Sequence, residues 1–284
     1  MEPVRLTLID AGSPQERSAE PLRYHDGSGT QSTTITIGDG FSQHMGSTDS
    51  SPKRINPTDI KLPVRAEYRT EGDDHHVDAV TDHPTTDSEP HRADVDAAAG
   101  FSFGWTADPY GKIANFRLAA PSGASDQSRS LMERYLMRLV ATPVVFPNEP
   151  IGNGATWSIE GRVPGESGML QKVIYKLLEH DGDRAKLELT IEQRPAISVL
   201  NLDPSATPAP GPSPTQPAGG PSTPPGAHLK VESAKTISQG TLNVDLAQPI
   251  PTDGNVDFTT RVVYSGASGS TVVQDATTTL KFAS

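Results

Sequence analysis

The stretch Leu170-Gln-Lys-Val-Ile-Tyr-Lys-Leu-Leu-Glu-His-Asp-Gly-Asp-Arg-Ala-Lys-Leu-Glu-Leu-Thr-Ile-Glu-Gln193 decides the fold class. Leu170–Leu178 and Ala185–Gln193 place apolar residues at alternating positions, the mark of strands with one buried face. Between them, His180-Asp-Gly-Asp183 is a tight-turn sequence, so the two runs read as an antiparallel hairpin.

The same grammar extends in both directions. Downstream, Leu229–Ile237, Thr241–Leu246, Val256–Tyr264 and Thr271–Phe282 alternate at least in part, and Asp253-Gly-Asn255 reads as a hairpin turn. Upstream, Gly152–Trp157 opens a strand that runs to Val163. Near the beginning, Leu22–Tyr24 and Thr33–Ile37 flank Asp26-Gly-Ser-Gly29 and read as a hairpin. Residues 46–58 read as loop, and Leu62, Val64, Ala66 and Tyr68 then share one side of a strand reaching Thr70. Phe101, Phe103 and Trp105 alternate up to Asp108-Pro-Tyr-Gly111, and Ile113–Leu118 returns. One helix stands out, at about 125–141. Ser125 and Asp126 can cap it, Leu131, Tyr135, Leu136, Leu139 and Val140 recur at helical spacing, and Pro143 stops it. The expected fold is mainly β (α+β): an extended curved antiparallel sheet with this single central helix.

Composition sets the limits. Among 284 residues only 34% are hydrophobic and 5% aromatic, against 25 Gly and 26 Pro, which fits long polar loops around a modest core. Residues 1–20 read as an unstructured N-terminal segment, and 21–284 as one β-rich domain. Residues 203–226, mostly Pro, Gly, Ser, Thr and Ala, read as an extended insertion. The halves 21–121 and 147–284 echo each other at three ordered points. Gly27-Ser-Gly29 matches Gly152-Asn-Gly154, the Tyr68 turn region matches the Tyr175 hairpin, and Asp108–Leu118 matches Thr252–Val262. A duplicated β unit would produce this.

The net charge of −11, with no run of Lys and Arg, argues against a nucleic acid partner and against an anionic membrane surface. Cysteine is absent, so there is no disulfide, Cys-ligated zinc or thiol nucleophile. No apolar run approaches the ~20 residues of a spanning helix. No cofactor motif is present: Gly27-Ser-Gly29 and Gly152-Asn-Gly154 lack the Gly-Lys-Ser/Thr of a phosphate loop and read as turns. Gly165-Glu-Ser-Gly168 has the wrong spacing for a nucleophile elbow, and no His-Glu-x-x-His occurs, so no enzyme is expected. The run from Glu71 to Asp96, with His75, His76, His83 and His91 among carboxylates, has ligand types but no metal-motif spacing, and reads as a solvated acidic loop.

Four features resemble a family of secreted actinobacterial β-rich proteins and lipoproteins that carries no assigned activity. They are the early Leu22-Arg-Tyr24 opening, Pro147-Asn-Glu-Pro-Ile-Gly-Asn-Gly-Ala-Thr-Trp157 after a helix, the Tyr175 hairpin, and Gly240-Thr-Leu-Asn-Val-Asp245. The likeness spans residues 21–282 apart from the Pro-rich insertion. It implies an exported, envelope-associated protein whose leader or anchor lies outside this chain. By fold analogy it is similar, more distantly, to mycobacterial lipoproteins that carry lipids in a half-barrel. That analogy makes a lipid-like or amphiphilic ligand the first expectation. The expected site is an apolar cavity between sheet and helix, lined by Phe103, Trp105, Leu131, Tyr135, Leu136, Leu139, Trp157 and Tyr175. Such a cavity should exceed ~300 Å³. The alternative uses for the same residues are core packing and an interaction protein whose acidic surface and Pro-rich loop meet an envelope protein partner.

Overall fold

The computed structural model describes residues 4–46, 49–164, 166–197, 199–201, 228–266 and 269–284. In chain order the strands are β1 (Arg5–Asp10), β2 (Ser28–Met45), β3 (Thr58–Glu71), β4 (Asp74–Thr81), β5 (Thr85–Thr86), β6 (Ser102–Ala107), β7 (Ile113–Ala119), β8 (Thr156–Val163), β9 (Glu166–Asp181), β10 (Arg184–Pro195), β11 (Val199–Asn201), β12 (His228–Asp245), β13 (Asp253–Gly266) and β14 (Thr271–Ala283). The helices are α1 (Arg92–Asp96) and α2 (Asp126–Val140).

The strands form one open antiparallel sheet in the order β1-β8-β9-β10-β12-β13-β14-β2-β3-β4-β6-β7, with β5 beside β3 and β11 beside β12. This is the mainly β antiparallel architecture that the alternation predicts. Two meanders, β2-β3-β4-β6-β7 and β8-β9-β10-β12-β13-β14, join where β14 pairs with β2. The chain's period-two pattern sets which face is buried: Ile60, Leu62, Val64 and Ala66 alternate with exposed residues along β3. Cross-strand rows continue that face, as in Tyr68–Val77–Trp105–Phe116 and Trp157–Tyr175–Leu189.

Helix α2 covers this inner face. The Ser125 hydroxyl accepts the Ser128 N–H at 3.0 Å, capping the first turn. Leu131, Met132, Tyr135, Leu136 and Val140 are buried on one stripe. Beyond its end, residues 141–151 form a strap across β8 and β9. Gln171 Nε2 donates to the Ala141 carbonyl at 2.6 Å, the Tyr175 hydroxyl donates to the Pro143 carbonyl, and Trp157 Nε1 donates to the Val145 carbonyl at 2.7 Å.

The outer face is not left to solvent everywhere. The loop between β2 and β3 lies over β13 and β14, where Arg261 and Asp275 form an enclosed two-point pair at 2.8 and 2.6 Å. Asp275 also accepts the Lys53 N–H at 3.0 Å, and Arg261 donates to the Asp49 carbonyl at 2.9 Å, so the pair fastens the loop.

Several local expectations need correction. Residues 4–20 are not the unstructured segment expected, because β1 pairs with β8 and the Ser13 N–H donates to the Asn153 carbonyl at 2.9 Å. Leu22–Tyr24 forms no hairpin with Thr33–Ile37. The Tyr24 N–H goes instead to the Pro109 carbonyl, and Gly27-Ser-Gly29 leads into the long β2. The acidic run 71–96 is not a loop: it holds β4, β5 and the short α1, since Val77, Ala79, Thr81 and Val95 supply enough buried positions. A helix therefore exists besides the central one. Leu229–Leu246 is one strand rather than two, and the turn before β13 falls at 246–252 rather than at Asp253-Gly-Asn255. The Pro-rich insertion lies outside the described residues.

Candidate functional site

The eight residues expected to line a cavity separate into two groups. Phe103, Leu131, Tyr135, Leu136, Trp157 and Tyr175 are buried in the continuous core between sheet, α2 and strap. Trp157 stacks on Tyr175 with ring centroids 5.4 Å apart, and Tyr135 donates its hydroxyl to the Thr58 carbonyl at 2.9 Å. These polar tips are spent on backbone carbonyls, which is how buried Tyr and Trp are normally satisfied. Burial drives the Tyr175 hydroxyl far above the usual phenol range, with nearby Tyr24 adding to it. Of the eight, Trp105 and Leu139 line a cleft open to solvent.

The cleft lies at the end of the inner face, beside the β3–β4 turn. Its floor is the row Tyr68, Val77 and Trp105, with Ile113 beyond. The end of α2 and the strap form one wall through Leu139, Val140, Pro143 and Val144. The loop Leu246-Ala-Gln-Pro-Ile-Pro251 and Phe282 form the other. Gln31 holds that loop in place, donating Nε2 to the Ile250 carbonyl at 2.8 Å and accepting the Ile250 N–H at 3.1 Å. Tyr24 closes the end: its N–H donates to the Pro109 carbonyl and that of His25 to the Leu246 carbonyl, both at 2.8 Å. Its ring meets Phe146 edge-on at 5.9 Å. The backbone of Gly111 passes so close that a Cβ would stand 2.2 Å from the Val144 oxygen, at φ +89°.

The cleft holds about 90 Å³. This falls short of the ~300 Å³ expected of a pocket for a whole small molecule. The shortfall has a simple cause: α2 and the strap fill the region where the large cavity was expected. A dry apolar cavity of ~150 Å³ takes a benzene ring, so this cleft admits a shorter apolar tip, with the remainder of any occupant at the open mouth.

The mouth is polar, with His25 and His75 beside it, while the His76 imidazole shares the opposite sheet face with Arg69, Glu71 and Thr106. His25 Nε2 stands 3.6 Å from Asp183, His75 Nε2 3.5 Å from Asp26, and His76 Nε2 3.7 Å from Glu71. His76 Nδ1 also lies 3.2 Å from the Thr106 hydroxyl. His75 is the most enclosed: its side chain is 15% exposed, and Nε2 completes no hydrogen bond despite the nearby carboxylate. Burial pushes its imidazole below the ordinary range, while Asp26 pulls the other way. Arg69 is committed to Glu71 at 2.7 Å and Asp78 at 3.1 Å, and Arg117 to Asp78 at 2.7 Å. These guanidinium contacts hold the Glu71 and Asp78 carboxyls below the usual carboxylate range.

Among the described residues, no three of His, Asp and Glu converge as metal ligands would. The histidines of the 71–96 run scatter, with His83 exposed beside Asp82 and His91 in a short turn before α1. Tyr24, Phe282 and the 246–251 loop escaped sequence reasoning because they belong to no shared periodic run. The one signal present was an apolar Pro-Ile-Pro inside a turn.

Fold and cleft together define a single-sheet β protein with a small apolar recess under a polar rim. No protein-family model matches the chain, and no curated protein matches it.

Proposed function

We propose that the protein is a non-enzymatic binding protein that takes the apolar tip of an amphiphile into the cleft over Trp105. One observation carries this reading. The cleft is walled by Tyr68, Val77, Trp105, Leu139, Ile250 and Phe282, and is rimmed by polar groups at its open side. An apolar recess with a few convergent polar groups is the usual form of a small-ligand site. The recess suits a short alkyl end rather than an enclosed lipid. An envelope location rests on the sequence resemblance around Pro147–Trp157 and is part of the proposal.

Calorimetric titration with hexyl glucoside, a neutral single-chain amphiphile, tests it. Saturable binding that is lost in Leu139→Asp supports the reading. Absence of binding, or equal binding by Leu139→Asp, refutes it.

A second reading, an interaction protein of the envelope, draws on Phe41 and Met45. These sit four residues apart on one face of β2 and remain 44% and 48% exposed.

A further inference from the structure

The aromatic residues of the inner face divide by what their polar tips do. In the core, the Tyr135 hydroxyl and the Trp157 indole N–H are spent on the Thr58 and Val145 carbonyls, and the Tyr175 hydroxyl on that of Pro143. Tyr24, Tyr68 and Trp105 line the cleft instead. Among the described residues, no hydrogen bond reaches the Tyr24 or Tyr68 hydroxyl or the Trp105 indole N–H, and none of these tips is sealed from solvent. Buried Tyr and Trp normally find a partner for this group.

The rings themselves are held. Tyr68 lies across the neighbouring strand, where a Cβ at its register partner Gly29 would stand 2.6 Å from the hydroxyl, so glycine makes room for it. Trp105 shares the floor row with Tyr68, one strand apart across Val77, and stacks on Phe103 with ring centroids 6.3 Å apart. Tyr24 is fixed at the closed end by its N–H bond to Pro109 and its edge contact with Phe146. Three positioned rings thus present three unspent polar tips to one recess.

The charges along the cleft are in the opposite condition. Asp108 accepts the N–H groups of Tyr110 and Lys112 at 3.0 and 2.9 Å. His25 stands beside Asp183 and His75 beside Asp26, and Arg69 is turned onto Glu71 and Asp78 on the other sheet face. Each already has a counter-charge or a pair of backbone donors, so none is left over for an ionic head group.

An occupant made only of alkyl carbon would strip water from the three tips and return no partner. A site whose polar groups need pairing discriminates against such an analogue. Resting on the proposed amphiphile site, we infer that the cleft takes a neutral glycoside-type amphiphile, whose oxygens adjoin the alkyl tip and pair with Tyr24, Tyr68 and Trp105. The indole N–H can only donate and so asks for an acceptor oxygen. The two phenol hydroxyls donate or accept, as sugar hydroxyls do. A quaternary ammonium head offers nothing to any of them.

Hexyl glucoside and hexyltrimethylammonium share a tail, and only the first has a head that forms hydrogen bonds. Both are titrated into the full chain by calorimetry at neutral pH. The glucoside should bind about tenfold more tightly, the net worth of one or two hydrogen bonds. Tyr24→Phe/Tyr68→Phe removes two hydroxyls and keeps both rings. It should weaken the glucoside about tenfold and narrow the gap between the probes. Where the double variant fails to fold, Tyr68→Phe alone should weaken the glucoside about threefold. In labelled protein the glucoside should move the Trp105 indole proton downfield, as a new hydrogen bond does, and the ammonium should not. With the glucoside bound, three results overturn the inference but leave the cleft reading standing. They are ammonium binding as tight or tighter, a glucoside affinity untouched by the Tyr→Phe changes, and an indole proton that moves alike with both probes. Failure of the glucoside to bind overturns both.

Discussion

The Trp157 indole N–H donates to the Val145 carbonyl at 2.7 Å from a fully buried position on β8. The contact ties the strap after α2 onto the inner face of the sheet, beside the parallel tie from Tyr175 to Pro143. A residue type expected in a ligand pocket is thus used to seal the core and to shape the wall of a smaller cleft nearby.

Replacing Trp157 by Phe should therefore act on the strap. It leaves the Val145 carbonyl without its donor and opens a void, costing about 2–4 kcal/mol. Urea denaturation measures the loss. Amide exchange at Phe146, whose N–H donates to the Tyr110 carbonyl at 2.9 Å, should speed up selectively before global unfolding does. An unchanged exchange rate there would show that the strap is held by other contacts.

Arg261 and Asp275 are each 1% exposed and bond each other at two points. Arg261→Met strands a buried carboxylate and should cost about 3–5 kcal/mol. Arg261→Met with Asp275→Leu removes both charges and should recover much of that loss, though the Asp49 carbonyl and the Lys53 N–H each lose one bond. Denaturation midpoints of the two single variants and the double variant decide this. A double variant as unstable as the sum of the singles would contradict the pairing.

At Gly111 any side chain faces both a positive φ and the Val144 oxygen. Gly111→Ala should cost about 1–3 kcal/mol through backbone strain. It should also push the strap or Tyr24 and so weaken ligand binding beyond the stability effect. A variant with wild-type stability would mean that the turn after β6 shifts freely.

Stability should fall on mild acidification, with His75 as one source. In the unfolded chain an imidazole gains its proton near pH 6.5. In the fold, burial pushes His75 below that value. The unfolded state then binds more protons in the interval, so the contribution is full above about pH 6.5 and declines as pH falls through the folded value. His75→Phe should flatten the dependence measured by urea midpoints between about pH 7.5 and about pH 5. An identical slope in the variant would exclude His75 as a source.

The sheet was legible because its strands carry period-two alternation over long stretches, as in Ala185–Gln193, and α2 because Ser125 and Pro143 bracket a helical stripe. The site was not, for a physical reason. The sequence shows which residues are large and apolar, but not whether a helix and strap will fill the space between them. Trp157, Tyr175 and Tyr135 look the same on paper whether they line a void or donate to carbonyls at Val145, Pro143 and Thr58. The true walls, Tyr24, Pro249, Ile250 and Pro251, lie in turns and meet only because long-range bonds such as Gln31 to Ile250 bring them together. β1 was missed because six residues alternate too briefly, and because it is an edge strand whose one ladder partner, β8, lies far away in sequence.

The central claim is that the recess over Trp105 binds an apolar tip while the core around Trp157 stays closed. The chain has two tryptophans, so its nitrogen–proton spectrum carries two indole signals. Titration of hexyl glucoside into labelled protein, with Trp105→Phe for assignment, reads both at once. The account predicts a saturable shift of the Trp105 indole signal with the Trp157 signal unmoved. Movement of Trp157 instead, or of neither, would contradict it.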